Sequence, residues 1–150
     1  MITDDYLAMI ARQEKQFDAL YRNAGALFNL PDCAMWVLYF VASSQEVLSQ
    51  QDLINQMMFP KQTINSAVAS LQKKGLLELV VIPGTRNRKK IILTDVGHEL
   101  VSHTVARMRQ AECQAVEQMG FEKMEQYIAL YQEFYSHLHD QFIKEGVLHE

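Results

Sequence analysis

At 150 residues, 49% hydrophobic, with 6 glycines and 3 prolines, the chain is long enough for one core, and its composition excludes a low-complexity or disordered protein. Its longest apolar run, Cys33 to Ala42, is about half of a membrane span, and its start lacks the basic-then-apolar build of a signal peptide. Two cysteines, Cys33 and Cys113, make no disulfide framework, so a reducing cytoplasm with no membrane partner is expected.

The first element is a helix from about Tyr6 to Phe28, with Tyr6, Leu7, Ile10, Phe17, Leu20, Tyr21, Ala24, Leu27 and Phe28 at helical spacing. Pro31 and Asp32 interrupt it, and "CAMWVLYFVA" predicts a helix buried nearly all round. Ser49 suits an N-cap for a short helix to about Met57, with Leu53, Ile54 and Met57 inward. Pro60 fits the first position of the next helix. Ile64, Ala67, Val68 and Leu71 form its inner stripe, and Gly75 ends it behind Lys73 and Lys74.

"LLELVVI" and "KKIIL" flank the turn-forming "PGTRNR" and predict a two-stranded hairpin. Thr94 or Asp95 caps a long helix from about Val96 to Met119, which Gly120 breaks. A last helix carries Phe121, Met124, Tyr127, Ile128, Tyr131, Phe134, Leu138 and Phe142 as one apolar, aromatic stripe. The fold class is therefore mainly α with a small β-hairpin: a winged helix-turn-helix between N- and C-terminal helices. A domain this small has more apolar helix than its centre can cover, and such a stripe implies a partner, here a second copy.

The net charge of −4 argues against a polyanionic partner until its distribution is considered. Between Pro60 and Ile92 lie seven basic residues and one acid, Glu78, a balance of +6 in 33 residues that leaves −10 on the other 117. An acidic body with one basic block suits local attraction to a polyanion, because screening confines the field to roughly 10 Å. The helix within that block, "FPKQTINSAVASLQKKG", has no acid and carries Gln62, Thr63, Asn65, Ser66 and Ser70. Short donors and acceptors of this kind match base edges in a major groove, while Lys61 and the helix N-terminus suit phosphates. Arg86 on the hairpin tip is expected at DNA, and Arg88 and Lys89 at phosphates. Lys90 lies along the strand.

"LSQQDLINQMMFPKQTINSAVASLQKKGLLEL", the basic wing and "IILTDVGHEL" resemble the MarR family of bacterial transcriptional regulators. The elements that carry the resemblance are Leu53, Thr63-Ile64, "LQKKGLL" and "LTDVG", within about Leu48 to Leu100. The resemblance implies a symmetric dimer built from the terminal helices, with one recognition helix per subunit in the major groove and a wing arginine in the minor groove. It implies one domain over 1–150: dimerisation helices at about 1–30 and 120–150, the winged helix-turn-helix at about 31–95, and a connecting helix at 96–119. The family's wing pair of Asp then Arg falls on Thr85 and Arg86, so the carboxylate that holds the arginine is missing and Arg88 is placed to share or take its role. Ile54 stands where the family has a small Ala.

Some relatives sense zinc, which draws attention to His103 with a carboxylate or Cys33. Glu99 and His103 are four apart, a spacing that more often makes a surface salt bridge. No catalytic fingerprint is present, and no catalytic residue, cofactor or metal site is assigned. Cys33 and Cys113 read as buried structural cysteines rather than redox switches, which need a low pKa and access. The resemblance also implies a small-molecule effector between the dimer helices and the DNA-binding lobe. Phe28, Trp36 and Tyr39 suit such a pocket and suit a core equally. The expected protein is a dimeric repressor that binds double-stranded DNA at an inverted-repeat operator and is released by a small-molecule or redox signal. The alternative is a winged-helix module that docks proteins and binds DNA without sequence preference.

Overall fold

The computed structural model describes residues 2–149. Its elements are α1 (Ile2–Leu27), α2 (Asp32–Ser43), α3 (Gln50–Met57), α4 (Lys61–Lys73), β1 (Leu77–Val81), β2 (Lys89–Leu93), α5 (Asp95–His103), α6 (Val105–Met119) and α7 (Phe121–Lys144). The chain forms two compact units, Met1–Met108 and Arg109–Glu150.

In the first unit, α3 begins in a capping box. Ser49 Oγ accepts from the Asp52 backbone N–H, and the Asp52 carboxylate accepts from the Ser49 backbone N–H at 2.7 Å. Two of the helix's orphan donors are thereby satisfied within four residues. The turn to α4 passes through Met58 in the left-handed region at φ 55°. Pro60 is the N-cap of α4 and not its first helical residue, with ψ at 136° and its carbonyl accepting from Thr63 and Ile64. The one-residue shift arises because the proline ring fixes only φ, which both positions share. At the other end Gly75 has φ 73°, with Gly75 N–H donating to Gln72 O and Leu76 N–H to Leu71 O. These two bonds form a Schellman motif, which a left-handed glycine permits at little cost.

The core joins Val37 and Leu38 of α2, Leu53 of α3, Ile64, Val68 and Leu71 of α4, Leu77 of β1, Ile91 and Leu93 of β2, and Val101 and Val105. Each such side chain stabilises the fold by roughly 1.5–3 kcal/mol through burial. Helix α2 buries Cys33, Ala34, Met35, Val37 and Leu38, whereas Trp36, Tyr39 and Phe40 are only half-buried. Its apolar character is thus not matched by burial all round. The strands pair antiparallel from Leu77 with Leu93 to Val81 with Lys89. Ile91 N–H donates to Leu48 O at 2.8 Å, which fastens the hairpin to the entry of α3.

The long helix expected from Val96 to Met119 is two helices. Thr104 Oγ1 donates to Leu100 O at 2.7 Å, taking the carbonyl that its own backbone N–H would use, and that N–H turns to Val101 O at 3.2 Å. The threonine leaves helical geometry at φ −125°, ψ −92°, separating α5 from α6. Helix α5 is itself capped by Thr94, whose Oγ1 accepts from Gly97 N–H at 3.0 Å and donates to Gly75 O at 2.6 Å. A Cβ on Gly97 would clash with the Leu76 carbonyl oxygen at 1.9 Å, so the glycine lets α5 lie against the start of β1.

In the second unit, Gly120 at φ 89° separates α6 from α7. Helix α7 buries none of its residues, and Tyr127, Ile128, Tyr131, Phe134, Leu138 and Phe142 are exposed along it. Cys113, expected to be buried, is exposed, because α6 covers no core at that position. No single helix among the described residues is long and apolar enough to cross a membrane.

Candidate nucleic-acid interface

Helix α4 divides its sequence between two faces. Ile64, Val68 and Leu71 are no more than 1% exposed, and the other side carries Lys61, Gln62, Thr63, Ser66 and Ser70 exposed with Asn65 half-buried. The 3.6-residue period dictates this division. Cys33 Sγ of α2 donates weakly to Thr63 O at 3.8 Å, anchoring the first turn of α4 from within.

Beside α4 runs a groove of about 700 Å³ lined by Gln50, Gln51 and Ile54 of α3, Lys61 and Asn65 of α4, and Asn87, Arg88 and Lys89 of the wing. Four of the expected residues, Lys61, Asn65, Arg88 and Lys89, therefore meet at one concavity. Gln62, Thr63, Ser66 and Ser70 lie on the open face of α4, outside the groove lining. Sequence reasoning missed Gln50, Gln51 and Asn87. The position of Gln50 directly after the N-cap and of Asn87 between two arginines were the available signals. Ile54, expected inward, lies half-buried at the groove.

Gln50 Nε2 donates to Asn65 Oδ1 at 2.7 Å, joining the first residue of α3 to the middle of α4. In the wing, Arg88 Nη2 lies 3.2 Å from Asp52 Oδ1, and Arg88 Nε donates to Ser49 Oγ at 3.5 Å. The hydrogen bonds from Ser49, then the nearby guanidinium of Arg88, hold the Asp52 carboxyl below the usual carboxylate range. The Thr85 side chain reaches the backbone of Arg88, with Oγ1 at 3.4 Å from its carbonyl oxygen. The same Oγ1 donates to Ile82 O at 2.7 Å, closing the tip together with the Ile82 N–H bond to Arg88 O. Arg86 projects from the tip exposed, and among the described residues Lys61, Arg86 and Lys89 form no ion pair. The surface thus offers free cations around polar side chains with both donors and acceptors.

Elsewhere in this unit, Trp36 has its ring centroid 4.9 Å from Tyr21, 5.1 Å from Tyr39 and 6.3 Å from Phe40. Phe28, half-buried in the turn after α1, makes no ring contact among the described residues. Cys33 is buried, and desolvation, then the charge of Asp32, raises its thiol pKa. Among the described residues no three His, Cys, Asp or Glu side chains are grouped to hold a metal ion.

A recognition helix behind a capped short helix, a hairpin fastened beside it and a basic groove between them define a winged helix-turn-helix protein. Residues 28–86 match the sequence model of the MarR family. Over this stretch the chain is similar to the MarR family, and its fold is that of solved MarR family regulators.

Solved structures share the fold over most of their length. MepR of S. aureus in its DNA-binding conformation is 25% identical, with 89% of this chain and 97% of that one covered at a TM-score of 0.69. NMB1585, a MarR family regulator from Neisseria meningitidis, is 16% identical, covering 94% and 98% at 0.77. CouR from Rhodococcus jostii RHA1, bound to p-coumaroyl-CoA, is 21% identical, covering 89% and 94% at 0.70. No curated protein matches the chain.

Proposed function

We propose that the chain is a cytoplasmic, dimeric repressor whose two α4 helices read an inverted-repeat operator. The observation that carries this reading is that Lys61 and Asn65, on the acid-free polar face of α4, meet the wing cations Arg88 and Lys89 at one groove. Gln62, Thr63, Asn65, Ser66 and Ser70 would face the major groove, Arg86 the minor groove, and Lys61, Arg88 and Lys89 the phosphates. The MepR neighbour, solved in a DNA-binding conformation, supports the same use of the fold.

Dimerisation would use the helices at the two ends, about 1–30 and 120–150. Each exposes large apolar groups: Tyr6, Leu7, Phe17 and Leu20 on α1, and Tyr127, Ile128, Tyr131 and Phe134 on α7. The winged helix-turn-helix would span about 31–95, with 96–119 as its connection to the dimer helices. Two rigidly joined subunits would contact half-sites about one helical turn apart. An effector would lower affinity by favouring a dimer whose α4 helices no longer match that spacing. The half-buried aromatics Phe28, Trp36 and Tyr39 are the candidate lining, and CouR, solved with an acyl-CoA ligand, supports an organic effector. The raised Cys33 pKa favours this route over oxidation of that thiol.

Selection from a random-duplex pool tests the proposal. An enriched inverted repeat supports it. Retention without enrichment, falling steeply with salt, would indicate phosphate attraction alone and leave a protein-docking module as the better reading.

A further inference from the structure

The hydrogen bond between Gln50 and Asn65 does more than join two helices. A free asparagine carboxamide offers two donors at Nδ2 and two acceptor sites at Oδ1, and rotation by 180° exchanges them. Here Gln50 Nε2 donates to Asn65 Oδ1 at 2.7 Å, so the carbonyl side of Asn65 is turned toward α3. The donor side is left for whatever enters the groove that both residues line. Gln50 is at the first position of α3, behind the Ser49–Asp52 capping box, which holds its backbone in place. Asn65 projects from α4 one turn beyond Lys61.

We infer that Gln50 is a specificity-determining positioning residue: it fixes the carboxamide of Asn65 so that one base pair of each half-site is read through the Asn65 Nδ2 donor. Purine acceptors in the major groove, N7 and O6 of guanine or N7 of adenine, are the matching edge. The inference rests on the DNA-binding reading of α4 and deepens it, because the discriminating unit is a pair of side chains from two helices. Asn65 touches the base, and Gln50 acts through Asn65.

The experiment compares random-duplex selections by the wild-type protein, Gln50→Met, Gln50→Glu, Asn65→Ala and the double variant Gln50→Met with Asn65→Ala. Methionine keeps the length of the glutamine and removes the bond. Glutamate accepts from Asn65 Nδ2 and turns its carbonyl outward. The expected result is loss of about tenfold discrimination at the same single base pair in Gln50→Met and Asn65→Ala. The double variant should lose no more than either alone. Gln50→Glu should move the preference at that position toward a donor-bearing edge, adenine N6 or cytosine N4.

A motif for Gln50→Met that keeps its full contrast at every position would overturn the inference and leave the DNA-binding reading intact. So would a uniform weakening across all positions, which is what a purely structural role for Gln50 produces. A wild-type selection without any motif would overturn both readings together.

Discussion

The Asp52 carboxylate serves two elements at once. Oδ2 accepts from Ser49 N–H at 2.7 Å and Ser49 Oγ–H at 2.6 Å, and Oδ1 receives Arg88 Nη2 at 3.2 Å across 36 residues of chain. The same side chain caps α3 and tethers the wing. Asp52→Ala keeps the bond from its backbone N–H to Ser49 Oγ and should lose the carboxylate half of the capping box, costing about 0.5–1.5 kcal/mol, with the partly exposed ion pair adding at most about 1 kcal/mol. Arg88→Met should cost only the latter. A double-mutant cycle in urea separates the two, and a coupling of zero would show that the tether does not contribute to stability.

The lowered Asp52 pKa sets a pH window. A carboxyl with a folded pKa below its ordinary value of 3.8 stabilises the fold in full above that value and loses the contribution as pH falls through the folded pKa. The urea midpoints of wild type and Asp52→Asn should thus differ by a constant amount at pH 5 to 7, taken here as about 1–3 units above the ordinary value. The gap should close at more acid pH. A gap that widened on acidification would contradict the assigned direction.

Arg86 is the wing-tip cation with no ion pair among the described residues. Arg86→Ala should weaken operator binding by about 1–3 kcal/mol if the arginine reads the groove, measured by titration of a labelled duplex at fixed salt. Lys89→Ala should weaken all sequences alike and reduce the salt slope by about one ion. Unchanged affinity for Arg86→Ala would transfer the tip's role to Arg88 and leave α4 untouched.

Two backbone positions respond in opposite directions. Gly97→Ala brings a Cβ to 1.9 Å from the Leu76 carbonyl oxygen and should destabilise by about 1–3 kcal/mol or more. Met58 is left-handed and 86% exposed, so Met58→Gly removes about 1–2 kcal/mol of strain against a glycine cost of about 0.5–1 kcal/mol. A small rise in thermal midpoint, measured at one fixed protein concentration, is expected for Met58→Gly.

The thiols should separate cleanly. Cys33 is buried with a raised pKa, while Cys113 is exposed in its chain. Ellman's reagent should modify one cysteine rapidly, and Cys113→Ser should abolish that phase. A fast phase that survives the substitution would mean that Cys33 is reachable in solution.

What the sequence by itself determined is the local part of the design. The Ser49 cap, the proline before α4, Gly75 behind it and the stripe of Ile64, Val68 and Leu71 are each set by residues within about one or two helical turns. That is why the helix-turn-helix, the hairpin and the acid-free face of α4 were legible without coordinates. The break at Thr104 within the single helix expected from Val96 to Met119 is also local, but a mid-helix threonine only competes with the helical ladder and does not always win.

The tertiary structure alone decided which distant groups meet. Gln50 reaches Asn65 across 15 residues and Arg88 reaches Asp52 across 36. Neither pairing follows from spacing, since both depend on the shared core beneath α3 and α4 and on the Leu48–Ile91 bond that sets the wing beside them. Hydrogen bonds act over about 3 Å, so only the packed chain determines which partner lies within reach.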